Sequence, residues 1–146
     1  MNLPPDLPDS SALPESLRML SLIWSLHAAL ERRSHMMEVK LGVTGLQRCL
    51  LRFVGLAPGI PRDRLARAVS RDPADLQLDL ETLVSKKLLA ESLAPEGYYL
   101  TAQGAAINAV TTGTVEQAVS KTLDDASPYE RSSFRRMLER VLQQLD

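Results

Sequence analysis

The sequence of 146 residues contains a single cysteine, Cys49, and few aromatic residues: two Phe, three Tyr and one Trp. A lone thiol excludes a disulfide framework within the chain and any cysteine-rich zinc site. With so few aromatic rings, a core must be built mainly from Leu, Val and Ala, which favours helix over sheet. No apolar run approaches the roughly 18 residues needed to span a membrane. Residues 1–13 have neither the basic head nor the apolar stretch of a secretory signal, so a soluble, cytoplasmic protein is expected. Neither sign of charge dominates: 17 Lys and Arg face 18 Asp and Glu. That balance excludes a globally basic nucleic-acid coat and leaves room for a local basic patch. Catalytic signatures are missing too. There is no Gly-rich phosphate loop, no Gly-x-Ser-x-Gly and no convincing acid pair, so no enzyme is expected. His27 and His35 lie eight positions apart on one expected helix, about 12 Å along its axis. They are too far apart to share a metal, and neither a metal nor a cofactor is expected.

What the chain does have is helical periodicity. Residues 1–13, with Pro4, Pro5 and Pro8, read as an extended arm. From Pro14 onward, Met19, Ile23, Leu26, Leu30, Met37 and Leu41 recur at helical spacing, and Leu17, Leu20, Trp24 and Ala28 add a second apolar stripe. Two stripes imply contact on two sides, as for a helix that also forms a subunit interface. Gly42 ends this helix, and Thr44 opens the next, with Leu46, Cys49, Leu50, Phe53, Val54 and Ala57 as its apolar positions. This spacing places Cys49 in the core. A short helix follows Ile60-Pro61, with Leu65, Ala66 and Val69 inward. Asp72-Pro73 caps and starts another, with Leu76, Leu80, Leu83 and Val84 inward. Residues 88–93 and 98–100 read as strands around a Pro95-Glu96-Gly97 turn. Thr101 caps a helix that Thr112-Gly113-Thr114 interrupts, and Ser127-Pro128 starts the last one, whose apolar face runs from Phe134 to Leu145.

Two short helices joined by a tight turn and followed by a hairpin form a winged helix-turn-helix. The expected fold is therefore mainly α with a small two-stranded β wing: a winged helix-turn-helix over 44–101, with N- and C-terminal dimerisation helices at 14–43 and 102–146, forming one continuous unit behind the 1–13 arm. Particular residues add a resemblance. The segment from Leu41 to Arg48, Leu65-Ala66-Arg67 and Leu83-Val84-Ser85-Lys86-Lys87-Leu88-Leu89 stand in order along the chain. With Leu100-Thr101-Ala102-Gln103-Gly104, they resemble successive motifs of the MarR-type regulators: the helix before the motif, then LAR, LEKRGLV and LTxxG. The resemblance spans roughly residues 15–146, and the joint order of the motifs is more specific than any one of them. It implies a homodimeric, DNA-binding transcriptional regulator, responsive to a small amphipathic ligand in a pocket near Trp24.

Departures from that pattern fall where DNA would be touched. A reading helix usually needs donors on its outer face, because groove edges and phosphates are largely acceptors. From Asp72 to Thr82 there are four acids and no base. A carboxylate repels phosphate and reads a base edge only at cytosine. The segment Ala94-Pro95-Glu96-Gly97 also lacks the arginine that the family usually carries on a longer wing. Positive charge survives upstream, where Arg62, Arg64, Arg67 and Arg71 face only Asp63, and at Lys86 and Lys87. These six, with Gln77, are the candidate contacts to double-stranded DNA. The bland alternative is a solvated face ion-paired to the neighbouring acids. Asp75, Leu78, Asp79 and Thr82 form a candidate protein-interaction surface, since a leucine flanked by acids suits a protein better than a groove. A helix rotated to bury Leu78 would remove that reading. Two functions stay open: a DNA-binding regulator, or a degenerate winged-helix protein that acts through contacts with another protein, for example by blocking a related regulator.

Overall fold

A computed structural model describes residues 12–146, so the expected 1–13 arm lies almost wholly outside the described residues. The elements run α1 (Glu15–Leu41), α2 (Gly45–Leu56), α3 (Arg62–Ala68), α4 (Pro73–Ser85), β1 (Leu89–Leu93), β2 (Glu96–Leu100), α5 (Ala102–Ala109), α6 (Val115–Asp125) and α7 (Pro128–Leu145). This is the expected order, mainly helical with a two-stranded antiparallel wing. The chain divides into two compact units, one ending at Gly45 and one spanning Leu46–Asp146.

In the first unit, α1 starts behind Pro14 with Glu15 at the positive end of its dipole. It stops at Gly42, whose φ of 76° is left-handed and whose N–H donates to Glu38 O. Met37 is the buried residue of α1; Leu17, Leu20, Ile23, Trp24 and Leu26 of the two expected stripes are exposed.

In the second unit the core is built from Leu50, Leu51, Val54, Leu65, Leu76, Leu80, Leu83, Leu89 and Tyr98, each at most 2% exposed. Burying each such leucine contributes about 1.5–3 kcal/mol before conformational entropy is set against it. Both helices of the motif end in Schellman turns. After α3, Ser70 takes φ 52°, with Ser70 N–H on Arg67 O and Arg71 N–H on Ala66 O. After α4, Lys87 takes φ 61°, with Lys87 N–H on Val84 O and Leu88 N–H on Leu83 O. Lys87 stands where the LEKRGLV pattern has glycine, so this chain holds a bulky residue in a left-handed turn that glycine fills without strain.

The wing differs from its expected form at one end. Leu93 pairs with Glu96 and Ser92 with Gly97, so β2 starts at Glu96 and the turn is Ala94-Pro95 alone. Gly97 is a strand residue: a side chain there would overlap the Gly59 carbonyl. Its bareness lets Gly59 N–H reach Tyr98 O and Tyr98 N–H reach Ile60 O, which adds the Ile60–Tyr98 bridge to the wing. The LTxxG segment has an equally physical basis. Thr101 accepts Gly104 N–H as the cap of α5 and donates its hydroxyl to Lys87 O, and Gly104 has no room for a Cβ against the Leu88 carbonyl. Thr114 caps α6, and Ser127 with Glu130 forms a capping box on α7.

Candidate nucleic-acid interface

The candidate reading helix is α4. Asp72 caps it, accepting from Ala74 N–H, and Pro73 takes the first turn. Leu76, Leu80 and Leu83 anchor its inner face. Opposite them, helical geometry puts Ala74, Leu78, Glu81 and Ser85 along the outermost row, and all four are exposed. Leu78 is 70% exposed, so the rotated helix is ruled out. Asp75 and Thr82 form the next row to one side, with the Thr82 hydroxyl turned back onto Leu78 O.

The acids on this helix are less alike than the sequence makes them. Asp79 does not belong to the exposed surface assigned to it: it is half-buried, and its carboxylate accepts from Gln47 Nε2 of α2 at 3.1 Å. Glu81 Oε1 accepts from Gln77 Nε2 at 2.9 Å, and Gln77 Oε1 accepts from Arg62 Nη1 at 2.6 Å. Arg62 and Gln77, both candidate DNA contacts, are thus half-buried and hold one another, and the Gln77 amide is used at both ends. Among the described residues, the Asp75 carboxylate makes no hydrogen bond or ion pair.

Arg64, Arg67 and Arg71 stand differently. All three are exposed, on α3 and the turn that follows it. No carboxylate among the described residues lies within ion-pairing distance of them; the pairs that form join His27 to Glu31, Arg48 and Arg52 to Glu116, and Arg135 to Glu139. The ion-paired alternative for this patch therefore does not hold at these three. Lys86 and Lys87 are exposed at the far end of α4. The wing carries Glu91 and Glu96 and no base, with Leu93 83% exposed beside the turn. A hollow of about 190 Å³ between α4 and the wing is lined by Gln77, Glu81, Val84, Glu91 and Tyr98 among others. Burial and the Glu91 and Glu96 carboxylates push the Tyr98 hydroxyl up to about 12, against a smaller opposing effect of Arg62.

Two residues of α2 behave unlike their sequence reading. Cys49 is exposed, because the buried stripe of α2 is Gln47, Arg48, Leu50, Leu51 and Val54. Removal of water by nearby protein still pushes its thiol up, Glu116 adds to this and Arg48 opposes it. The group is therefore a thiol rather than a reactive thiolate near neutral pH. Arg48, only 3% exposed, is the larger omission. Its Nη2 donates to Asn108 O at 2.9 Å and Val110 O at 3.1 Å, and its Nη1 reaches Glu116 at 3.4 Å. It ties α2 to the end of α5 and the start of α6. The only hint was an arginine inside an apolar run.

No helix of the described residues is long and apolar enough to cross a membrane, and none of their His, Cys, Asp and Glu side chains gather in threes to hold a metal.

No protein-family model and no curated protein matches the sequence. Solved structures do. The MarR family protein Rv2887 of Mycobacterium tuberculosis in complex with DNA is 26% identical, with 88% of this chain and 98% of that chain covered and a TM-score of 0.60. The same protein is also solved in complex with salicylic acid. MepR of Staphylococcus aureus in complex with DNA shares the fold at 16% identity, covering 86% of this chain and 96% of that one, with a TM-score of 0.73. A MarR/EmrR family transcriptional regulator from Acinetobacter sp. ADP1 shares it at 14% identity, covering 92% and 99%, with a TM-score of 0.74.

Proposed function

We propose that this chain, which has the MarR-type winged-helix fold, is a DNA-binding transcriptional regulator that responds to a small amphipathic ligand and works in the cytoplasm as a homodimer. The observation that carries the reading is that Arg64, Arg67 and Arg71, on α3 and the turn that leads into α4, are all exposed and outside every ion pair among the described residues. Their guanidinium groups are available to phosphates, which supply most of the affinity of such proteins. Lys86 and Lys87 add positive charge at the other end of α4. Support also comes from Rv2887, at 26% identity, which is solved with DNA and with salicylic acid.

Dimerisation is supported by exposed apolar faces on both end segments, 14–43 and 102–146. Trp24 is 66% exposed, and Phe134, Leu142 and Leu145 are 60%, 59% and 78% exposed. Faces of this kind on helices are usually covered by a partner. With Arg64, Arg67 and Arg71 on each protomer, a dimer offers six phosphate contacts. Binding to duplex DNA from upstream of its own gene should then weaken with salt along a slope near −5 on logarithmic axes. Arg67→Ala removes two contacts per dimer and should flatten that slope by about 2. Fluorescence anisotropy from low to moderate salt measures both, and salicylate should release the DNA. Absence of binding at low salt would sink the reading.

A second reading is favoured by one observation: Leu78 at the outermost row of an acid-bearing helix, with Leu93 bare beside the wing turn. On this reading the reading head has left DNA and meets another protein. Recovery of a distinct regulator in stable complex, together with no DNA binding at low salt, is the result it requires.

A further inference from the structure

Resting on the regulator reading above, we infer that α4 reads the pyrimidine side of its operator: Glu81 accepts from the N4 amino group of a cytosine, and Leu78 packs on the C5 face of a neighbouring pyrimidine, best a thymine methyl.

The inference starts from what the outermost row of α4 offers. Ala74 and Ser85 are small, so the two side chains that extend farthest from this row are Leu78 and Glu81. They are three residues apart and therefore neighbours on one face, with Cβ atoms about 5–6 Å apart. Neither can do what an arginine does at guanine, since neither donates a hydrogen bond. Glu81 is also held. Its Oε1 takes the Gln77 amide N–H at 2.9 Å, and the carbonyl of that same amide is fixed by Arg62 at 2.6 Å. The chain Arg62–Gln77–Glu81 sets one carboxylate oxygen and leaves the other to accept. A positioned acceptor needs a donor on the base edge.

The major groove offers two such donors, the cytosine N4 and the adenine N6 amino groups. The adenine amino group lies beside the N7 lone pair, which repels a carboxylate. The cytosine amino group lies beside the C5–H, which does not. Guanine and thymine present acceptors at the corresponding position and are rejected. Leu78 completes the pattern, because an apolar side chain next to a carboxylate matches the C5 edge of a pyrimidine strand and has nothing to gain from purine N7. Affinity then comes from Arg64, Arg67 and Arg71 on phosphates, and sequence comes from two side chains that would be useless for non-specific binding.

The test uses the full chain and a pool of duplexes with a randomised central segment, selected at low salt. Single-base variants of the enriched duplex are then measured by anisotropy. A fixed cytosine is expected in each half-site, and replacing it by thymine should weaken binding about tenfold. Glu81→Gln should raise affinity for duplexes that lack this cytosine by removing a charge, and should also move the preference at that one position from cytosine to adenine, whose N6 and N7 suit an amide. Leu78→Ala should erase the loss that wild type shows when the neighbouring thymine is replaced by uracil, which lacks only the methyl group. An enriched duplex whose base preferences are untouched by both substitutions overturns the inference while leaving the regulator reading intact. No enrichment and no binding at low salt overturns both.

Discussion

Arg48→Met separates two accounts of how the winged helix is joined to the helices behind it. The substitution keeps the apolar stem and removes the guanidinium. Two carbonyls, Asn108 O and Val110 O, then lose the donor that reaches them at 2.9 and 3.1 Å. A hydrogen bond from a charged donor contributes about 1.5–3 kcal/mol, and a stranded carbonyl costs about 1–3 kcal/mol. Val110 is exposed, so water can replace the donor there; Asn108 is half-buried, so the cost falls mainly on it. The pair with Glu116 adds little, since that carboxylate is 48% exposed. Against these losses stands the relief of taking a charge out of a site where it is 3% exposed and where its Nε finds no partner. The net is a destabilisation of about 3 kcal/mol, which at a typical urea dependence lowers the midpoint by about 1.5 M. Arg48→Lys, with one point charge in place of a fork, should lose about half as much. Both variants and wild type are measured by urea unfolding at one protein concentration, because the midpoint of the proposed dimer would depend on it. A midpoint for Arg48→Met at or above wild type would show that desolvation outweighs the two bonds, and the claim that Arg48 fastens α2 to α5 and α6 would fall.

Three further outcomes follow from particular contacts. Gly104→Ala drives a Cβ into the Leu88 carbonyl and should destabilise by about 2–3 kcal/mol, visible as a lower Tm; an unchanged Tm would contradict the packing. Lys87→Gly relieves the residue at φ 61° and should stabilise by about 1 kcal/mol, raising Tm by roughly 3 °C, whereas Lys87→Ala should not. Tyr98 is held near 12 against an ordinary value of 10.0, so between those values the folded chain keeps a proton that the unfolded chain releases. Stability from this residue should therefore fall as pH rises above 10, by about 1.4 kcal/mol per pH unit, and Tyr98→Phe should abolish that part of the fall in urea midpoints.

Much of this fold is legible because local chemistry and tertiary structure agree. Asp72-Pro73 starts α4, Ser127-Pro128 with Glu130 starts α7, Gly42 stops α1, and Thr101 with Gly104 fixes the entry to α5. What was not legible depends on partners distant in sequence. The apolar pattern of α2 placed Cys49 inside, but the helix turned to bury Gln47 and Arg48 because Asp79, Asn108 and Val110 supply their hydrogen bonds. Gly97 looked like a turn residue beside Pro95 and Glu96. Its role is close approach to Gly59, which only the folded chain brings near. The candidate interface divides the same way. Leu78, Arg64, Arg67 and Arg71 stand exposed, while Arg62, Gln77 and Asp79 are drawn inward by contacts between elements.

That division bears on why an acidic reading helix is compatible with binding DNA. Of the four acids between Asp72 and Thr82, Asp72 caps the helix, Asp79 serves Gln47 and Glu81 is held by Gln77, so three have structural duties and one, Asp75, has none among the described residues. Their charges still oppose phosphate, over a distance of about 8 Å at physiological salt. Opposition of this kind weakens specific and non-specific binding alike, because both begin with the same electrostatic approach. On the proposed reading, a hydrogen bond from a cytosine amino group to Glu81 forms only in the specific complex. Non-specific DNA therefore meets the repulsion alone, and the correct operator meets the repulsion together with a compensating contact. On a basic reading helix, every added arginine strengthens competitors as well as the target. Here the attractive charge lies on α3, the turn that follows it and the two lysines at the end of α4, so on the proposed reading the ratio between target and competitor is set by α4 itself, and neutralising Asp75 should raise affinity for all duplexes while lowering none of the discrimination that Glu81 and Leu78 provide.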